Sequence, residues 1–323
     1  MNDSISRRTF LGAAAVATST LQGAQTLPTR TFGRTGRTPS IIALGCGSRL
    51  GMYETQERAV ETINMALDAG VTYIDTAQSY GGGKSEVWVG EVMKTRRDGI
   101  FLASKTGIRD PEELLRKFDI SLKKLNTDHV DLLHIHSLGD ADDLAKIEAN
   151  KLIETMYKIR DQGMAKNIGI TSHTDPEVLA TALDRYDVDC TQMALNAALQ
   201  GMQSGKGGMT INPAMPTSFE EVALPVAKRK NLGVIAMKVF GQMQIMPRED
   251  DYEAAAKLLQ YSLSLPVSVA VVGCPKHEHL KRNIAGARAF EAMKSSEMKR
   301  YSHELSGRYK QALDRAFESH VDA

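Results

Sequence analysis

Four polar residues are spaced so that together they could move a proton onto a carbonyl oxygen: Asp75 and Tyr80 in Asp75-Thr76-Ala77-Gln78-Ser79-Tyr80, then Lys105 and His136. Asp75 follows Tyr73-Ile74, Lys105 follows Ile100-Phe101-Leu102-Ala103-Ser104, and His136 follows Val130-Asp131-Leu132-Leu133-His134-Ile135. Each run reads as a buried strand with a helical pattern after it, which predicts all three strand-end groups at the C-terminal edge of one parallel sheet. A phenol near pKa 10 is a poor acid at neutral pH unless a cation favours its ionised form, and Lys105 would supply that cation. Asp75 would pair with the lysine, and His136 would hydrogen-bond the substrate oxygen. The chemistry expected of such a set is carbonyl reduction, with Tyr80 as general acid, or as base in the reverse direction. Taken singly, each residue also has a plain structural reading: a cap, a core-edge phenol, a surface lysine, a satisfied barrel histidine. Their order on three successive strand ends favours the catalytic one.

The elements that must position them alternate along the chain. Strand-like runs are expected at 40–45, 71–75, 100–105, 130–135, 167–171, 190–195, 233–237 and 267–272. Helices are expected at 56–69 behind a Thr55 cap, 85–94, from Asp110-Pro111 to Leu125, 145–162, and from Asp175-Pro176 to about Tyr186. This alternation predicts the α/β class, as a single (β/α)8 TIM barrel over residues 27–323. The stretch Gln200–Pro216, rich in glycine and proline and carrying Met202, Met209 and Met215, interrupts the rhythm. It reads either as a mobile lid with adaptable thioether contacts or as a disordered surface insertion.

The segment from Asp75 to Tyr80, the Lys105 strand and Asp131-Leu132-Leu133-His134-Ile135-His136 together resemble the signature of the aldo-keto reductase family. Leu27–Gly36, Ser85-Glu86-Val87-Trp88-Val89-Gly90, Gly273 and Asn283 extend the resemblance over nearly all of the chain. It implies NADP(H) or NAD(H) bound on the barrel face. There is also no Gly-x-Gly-x-x-Gly that follows a strand and opens a helix, as a Rossmann site requires; Gly81-Gly82-Gly83 is a loop run. By the resemblance, Thr171, Ser172 and Gln192 would hold the carboxamide, with Ser172 standing where the family has asparagine. Met237, beside Lys238, stands where an aromatic ring stacks on the nicotinamide. Gly273, Cys274, Lys276, His279 and Asn283 would form the phosphate and adenosine end. His279 occupies the place of the family's NADP-selective arginine, and Lys276 and Arg282 are the cations left to meet a 2′-phosphate. Tyr53, after the first strand, is a candidate substrate contact.

Two other function classes stay open. His134 and His136 face the same side of their strand, as the first ligands of a metal-dependent barrel hydrolase do, and His173 could supply a third. A catalytically silent barrel that keeps a nucleotide is the other. A net charge of +1 argues against a nucleic-acid surface. Cys46, Cys190 and Cys274 are far apart in apolar surroundings and read as buried thiols rather than a disulfide framework.

The first residues suggest a location. Ser6-Arg7-Arg8-Thr9-Phe10-Leu11 precedes an apolar stretch to about Ala17, too short to span a bilayer stably. It resembles a twin-arginine export signal, with residues 1–26 as the leader and cleavage near Ala24. The expectation is an exported, periplasmic enzyme that meets the twin-arginine machinery and a small carbonyl substrate, with no stable membrane insertion. If the leader is unused, the protein stays in the cytoplasm.

Overall fold

In the computed structural model, residues 26–205, 208–212 and 215–318 are described. Along them run β1 (Ile42–Gly45), α1 (Gln56–Asp68), β2 (Tyr73–Asp75), α2 (Lys84–Arg96), β3 (Phe101–Thr106), α3 (Pro111–Lys124) and β4 (Val130–Ile135). Then come α4 (Ala141–Ala149), α5 (Leu152–Asp161), β5 (Ala165–Ser172), α6 (Pro176–Arg185), β6 (Cys190–Ala194), β7 (Gly201–Gly205) and β8 (Gly208–Asn212). The chain continues through α7 (Ala223–Arg229), β9 (Gly233–Met237), α8 (Tyr252–Ser264), β10 (Val269–Val272), α9 (His277–Arg288) and α10 (Ser295–Glu318). Strands β1–β6, β9 and β10 pair in parallel and close on themselves, β10 returning to β1, so the barrel leaves no sheet edge unpaired.

The two-residue period of a strand decides which side chains meet inside. Ala43, Tyr73, Phe101, Ala103, Leu132, Cys190, Ile235 and Val269 form one buried cluster with Phe32. These are alternate residues of their strands and fill the barrel, whereas a larger apolar cluster packs between the sheet and the helices. Two residues further along each strand, the same inward face presents Gly45, Asp75, Lys105, His134, Gln192, Met237 and Val271. The apolar interior thus gives way to polar groups at the C-terminal mouth.

The opposite mouth is plugged. Thr29 bridges to Ser40, and Phe32 packs edge-on against Tyr73 and Phe101, with ring centroids 5.9 and 5.0 Å apart. Gly33 makes this possible: its φ is +53°, and a Cβ there would overlap the backbone of Gly233.

Helix starts follow the expected chemistry. Thr55, Asp110 and Asp175 accept hydrogen bonds from backbone amides of the first turn, and Pro111 and Pro176 occupy first-turn positions that need no donor. Two stretches differ from expectation. The single helix expected at 145–162 is two helices, because Lys151 takes a left-handed conformation (φ +52°) and the Asn150 side chain donates to Arg109 O at 2.8 Å. The apolar period continues on both sides of the break, so periodicity does not reveal it.

The described part of the stretch 200–216 is not structureless chain but an antiparallel hairpin of β7 and β8. Met202 is fully buried, Met202 N donates to His173 O at 2.7 Å, and Gly201 N donates to Met215 Sδ at 2.9 Å. Residues 1–25 of the expected leader lie outside the described residues. Among the described residues no helix is long and apolar enough to cross a membrane.

Candidate active site

Lys105, at the inner end of β3, is 1% exposed. Its ammonium donates to Asp75 Oδ2 at 2.6 Å, to Thr76 O at 2.9 Å and to Tyr80 Oη at 3.3 Å. Burial opposes the lysine's charge, but Asp75 and Tyr80 outweigh it and hold its pKa above the usual value. An ammonium so placed draws the phenol down. Burial acts more strongly the other way, so the Tyr80 pKa lies above that of free tyrosine. Lys105 thus acts on the phenol in the expected direction, but burial outweighs it. The His136 ring stands edge-on to Tyr80, centroids 5.6 Å apart. Burial first, then the charges of Lys105, Arg109 and Lys238, depress its pKa to about 3, so His136 is a neutral hydrogen-bonding group at pH 7.

Helix α2 holds this cluster from behind. Ser85 Oγ donates to Cys46 O at 2.6 Å and meets Thr76 Oγ1 at 2.7 Å, while Glu86 Oε1 accepts from Ser104 Oγ at 2.8 Å. These bonds tie the ends of β1, β2 and β3 to one helix. Gly90 lets α2 approach α3, since a Cβ there would overlap Lys124 O. His136 is fixed through its backbone: Arg109 donates to His136 O at 3.0 Å and grips Asp143 with Nε and Nη2 at 2.9 and 2.8 Å.

Tyr80, His136 and Asp75 line a cavity of about 440 Å³ at the C-terminal mouth. Of the expected cofactor residues, Gln192, Met237, Lys238, Gly273 and His279 line it too. Gln192 Oε1 is buried without a hydrogen-bond partner, as is Arg282 Nη1, and Arg282 also lines the cavity. Lys238 has its pKa lowered to about 8 by burial first, then by Lys105 and Arg49. A nicotinamide dinucleotide needs an amide partner for its carboxamide and cations with helix N-terminal amides for its phosphates. The unsatisfied Gln192 oxygen, Arg282 and the start of α9 fit those needs.

The other expected contacts lie outside the lining. Ser172 is one residue out of the inward period, and its hydroxyl donates to Leu138 O at 2.8 Å. Thr171 Oγ1 accepts from Ser137 N at 2.7 Å. Cys274 Sγ accepts from Asn283 Nδ2 at 3.4 Å, burial pushes that thiol up to about 12, and both residues brace the root of α9. Lys276 pairs with Glu249 at 3.2 Å, which draws it away from the groove. Tyr53 is buried against the His277 ring, centroids 5.5 Å apart, instead of facing the cavity.

His134 is fully buried beneath the site, with both ring nitrogens unpartnered. No three His, Cys, Asp or Glu side chains converge on one point among the described residues, so the hydrolase reading has no ligand set there. Sequence reasoning passed over Arg49, Phe240, Gln242 and Met243, which also line the cavity. Arg49 crosses above Gly273 and donates to Gln242 O at 3.0 Å, joining the loops after β1 and β9. These residues lie beyond strand ends, where no period places them.

The Aldo/keto reductase family model matches residues 42–257. Aldo-keto reductase YhdN of Bacillus subtilis is 34% identical over 153 residues, covering 43% of this chain, and the chain spans 45% of that protein. The L-galactose dehydrogenase of Arabidopsis thaliana is 25% identical over 303 residues, 82% of this chain and 89% of that protein. A solved aldo-keto reductase from Klebsiella pneumoniae in complex with NADPH superposes with a TM-score of 0.67 at 22% identity, covering 87% and 96% of the two chains.

Proposed function

Because the chain belongs to the aldo/keto reductase family, we propose that it transfers hydride between a nicotinamide cofactor and a carbonyl carbon, with Tyr80 managing the proton. It is an NAD(P)-dependent oxidoreductase acting on aldehydes or ketones, or on the alcohol in reverse. The observation that carries the proton role is the buried contact of Lys105 Nζ with both Asp75 Oδ2 and Tyr80 Oη.

The cofactor would be held by Gln192, Met237, Lys238, Gly273, His279 and Arg282, and it supplies the hydride. Everything else falls to the chain's own groups. His136, neutral, donates a hydrogen bond to the carbonyl oxygen and fixes it beside Tyr80 Oη. As negative charge grows on that oxygen, the Tyr80 proton crosses to it, and the phenolate left behind is stabilised by Lys105. Asp75 keeps the lysine in place. Lys105 needs its partner, since a lone buried ammonium would be costly. Thr171, Ser172, Cys274 and Asn283 support the walls.

The test is Tyr80→Phe. It keeps the ring and its packing but removes the proton, so turnover is expected to fall by about 10²–10⁴-fold while NADPH or NADH still titrates the protein's fluorescence. Unchanged turnover would remove Tyr80 from the mechanism, and no binding of either nucleotide would remove the cofactor. That a relative matched over 89% of its own length is named an L-galactose dehydrogenase supports including sugars among the substrates tried. We further propose that residues 1–26 act as a twin-arginine leader and that the enzyme works outside the cytoplasm, a reading supported by the sequence from Ser6 to Leu11 alone.

A further inference from the structure

His173 has no part in the chemistry above, yet its placement is specific. It follows β5 in the inward period of Gly169 and Thr171, is 8% exposed, and lines the same cavity as His136. The two imidazole centroids are 6.1 Å apart, tilted by 55°. Its Nδ1 is buried without a hydrogen-bond partner. The backbone at this position is fixed by the hairpin: Met202 N donates to His173 O at 2.7 Å, and a Cβ on Gly201 would crowd that carbonyl at 2.6 Å.

A buried imidazole with an unsatisfied nitrogen carries an energetic cost that a ligand can remove. Burial first, then Lys238, His136 and Lys105, press the His173 pKa well below the ordinary value, so the ring is neutral. A neutral imidazole has one donor and one acceptor and therefore suits a hydroxyl better than a carboxylate. Apolar lining comes from Met237, Val239, Phe240, Met243 and Val271. Tyr80 and His136 serve the reacting oxygen, and His173 lies next to His136.

We propose that His173 is a specificity-determining residue that hydrogen-bonds a hydroxyl on the carbon next to the carbonyl, so that the enzyme's substrates are α-hydroxy aldehydes and ketones. The inference rests on the reading of Tyr80 and His136 as the carbonyl site. No step is added to the reaction; His173 binds an oxygen that neither gains nor loses electrons. A site built around a hydroxyl rejects the analogue that lacks it more strongly than an apolar pocket discriminates by size, because its polar group is left unpaired.

The experiment compares 2-hydroxypropanal with propanal, which differ by that one hydroxyl, under saturating NADPH or, if only that binds, NADH. Wild type is expected to favour 2-hydroxypropanal in kcat/KM by about tenfold or more. His173→Phe should remove that preference, chiefly through KM, and keep propanal turnover within about twofold. His173→Asn, which retains a donor and an acceptor, should restore part of the preference and serves as the measurement if the phenylalanine variant does not fold. Equal use of the two aldehydes by wild type, or a preference that survives in His173→Phe, would overturn the inference and leave the carbonyl reductase reading standing. Loss of both activities in folded His173→Phe would also overturn it, because His173 would then serve the reaction itself. No turnover of either aldehyde by nucleotide-bound wild type would sink the functional reading and the inference together.

Discussion

Tyr80 is caught between two opposed effects, and their balance makes Lys105 testable. Burial raises the phenol's pKa and the ammonium 3.3 Å away lowers it. Removing the ammonium leaves burial unopposed. Lys105→Met should therefore move the basic limb of alcohol oxidation to higher pH and lower turnover at pH 7 by about 10²–10³-fold. A pH–rate profile reports both, and an unshifted limb would show that another group sets it. His136 gives the complementary expectation. With its pKa depressed to about 3, it does not change charge between pH 5 and 8, so an inflection near pH 6.5 that vanishes in His136→Asn would contradict the neutral ring. Asp75 shows why the cluster works as a unit: replacing it with Asn leaves a buried, uncompensated lysine, with an expected loss of about 3–5 kcal/mol in urea unfolding.

At the scale of elements, the strand period made most of the site readable. Asp75, Lys105, His136, Gln192 and Met237 lie in the inward period of strands that the apolar runs had marked, and the C-terminal ends of all eight barrel strands fall within one residue of expectation. What the sequence hid lies off that period. Ser172 points out of the barrel, so a place in a motif did not make it a cavity residue. Tyr53 turned toward His277, a contact between loop and helix that local pattern does not encode. Lys276 was taken by Glu249 from a loop far away in sequence. The hairpin after β6 was concealed because its glycines and prolines read as irregular chain. Lys151 is one case of local strain, a side-chain-bearing residue in the left-handed region between α4 and α5. Lys151→Gly should relieve that strain and stabilise the protein by about 0.5–1 kcal/mol, visible as a higher urea midpoint with unchanged slope. Gly90→Ala should do the reverse, because its methyl group would be driven into Lys124 O where α2 meets α3. Since α2 also holds Cys46, Thr76 and Ser104, that variant is expected to lose activity along with stability.

For the whole molecule, three neutral histidines buried in one barrel mouth set a dependence on pH. Burial is the leading cause that depresses the pKa of His134, His136 and His173 below the ordinary 6.5. In the unfolded chain each takes up a proton as pH falls through about 6.5, whereas in the folded barrel none does until much lower pH. The unfolded state then binds more protons, so stability rises with pH in that window and is lost as pH falls below about 6.5. Each histidine contributes a slope of up to about 1.4 kcal/mol per pH unit. Glu86 and Glu220 act with the opposite sign, because burial raises their pKa and the folded state holds their protons longer. Their effect belongs nearer the carboxylate range, which leaves the interval from pH 6.5 to 5.5 to the histidines. Urea midpoints at pH 7.5, 6.5 and 5.5 should show a plateau followed by a decline. His134→Met removes one titrating ring from beneath the site without touching the cavity lining, so its decline should be shallower by one histidine's share. An equal decline in both proteins would mean that His134 is protonated within the fold. An enzyme exported in the way proposed for residues 1–26 would meet that acid limit directly, because the medium outside the cytoplasm sets its pH.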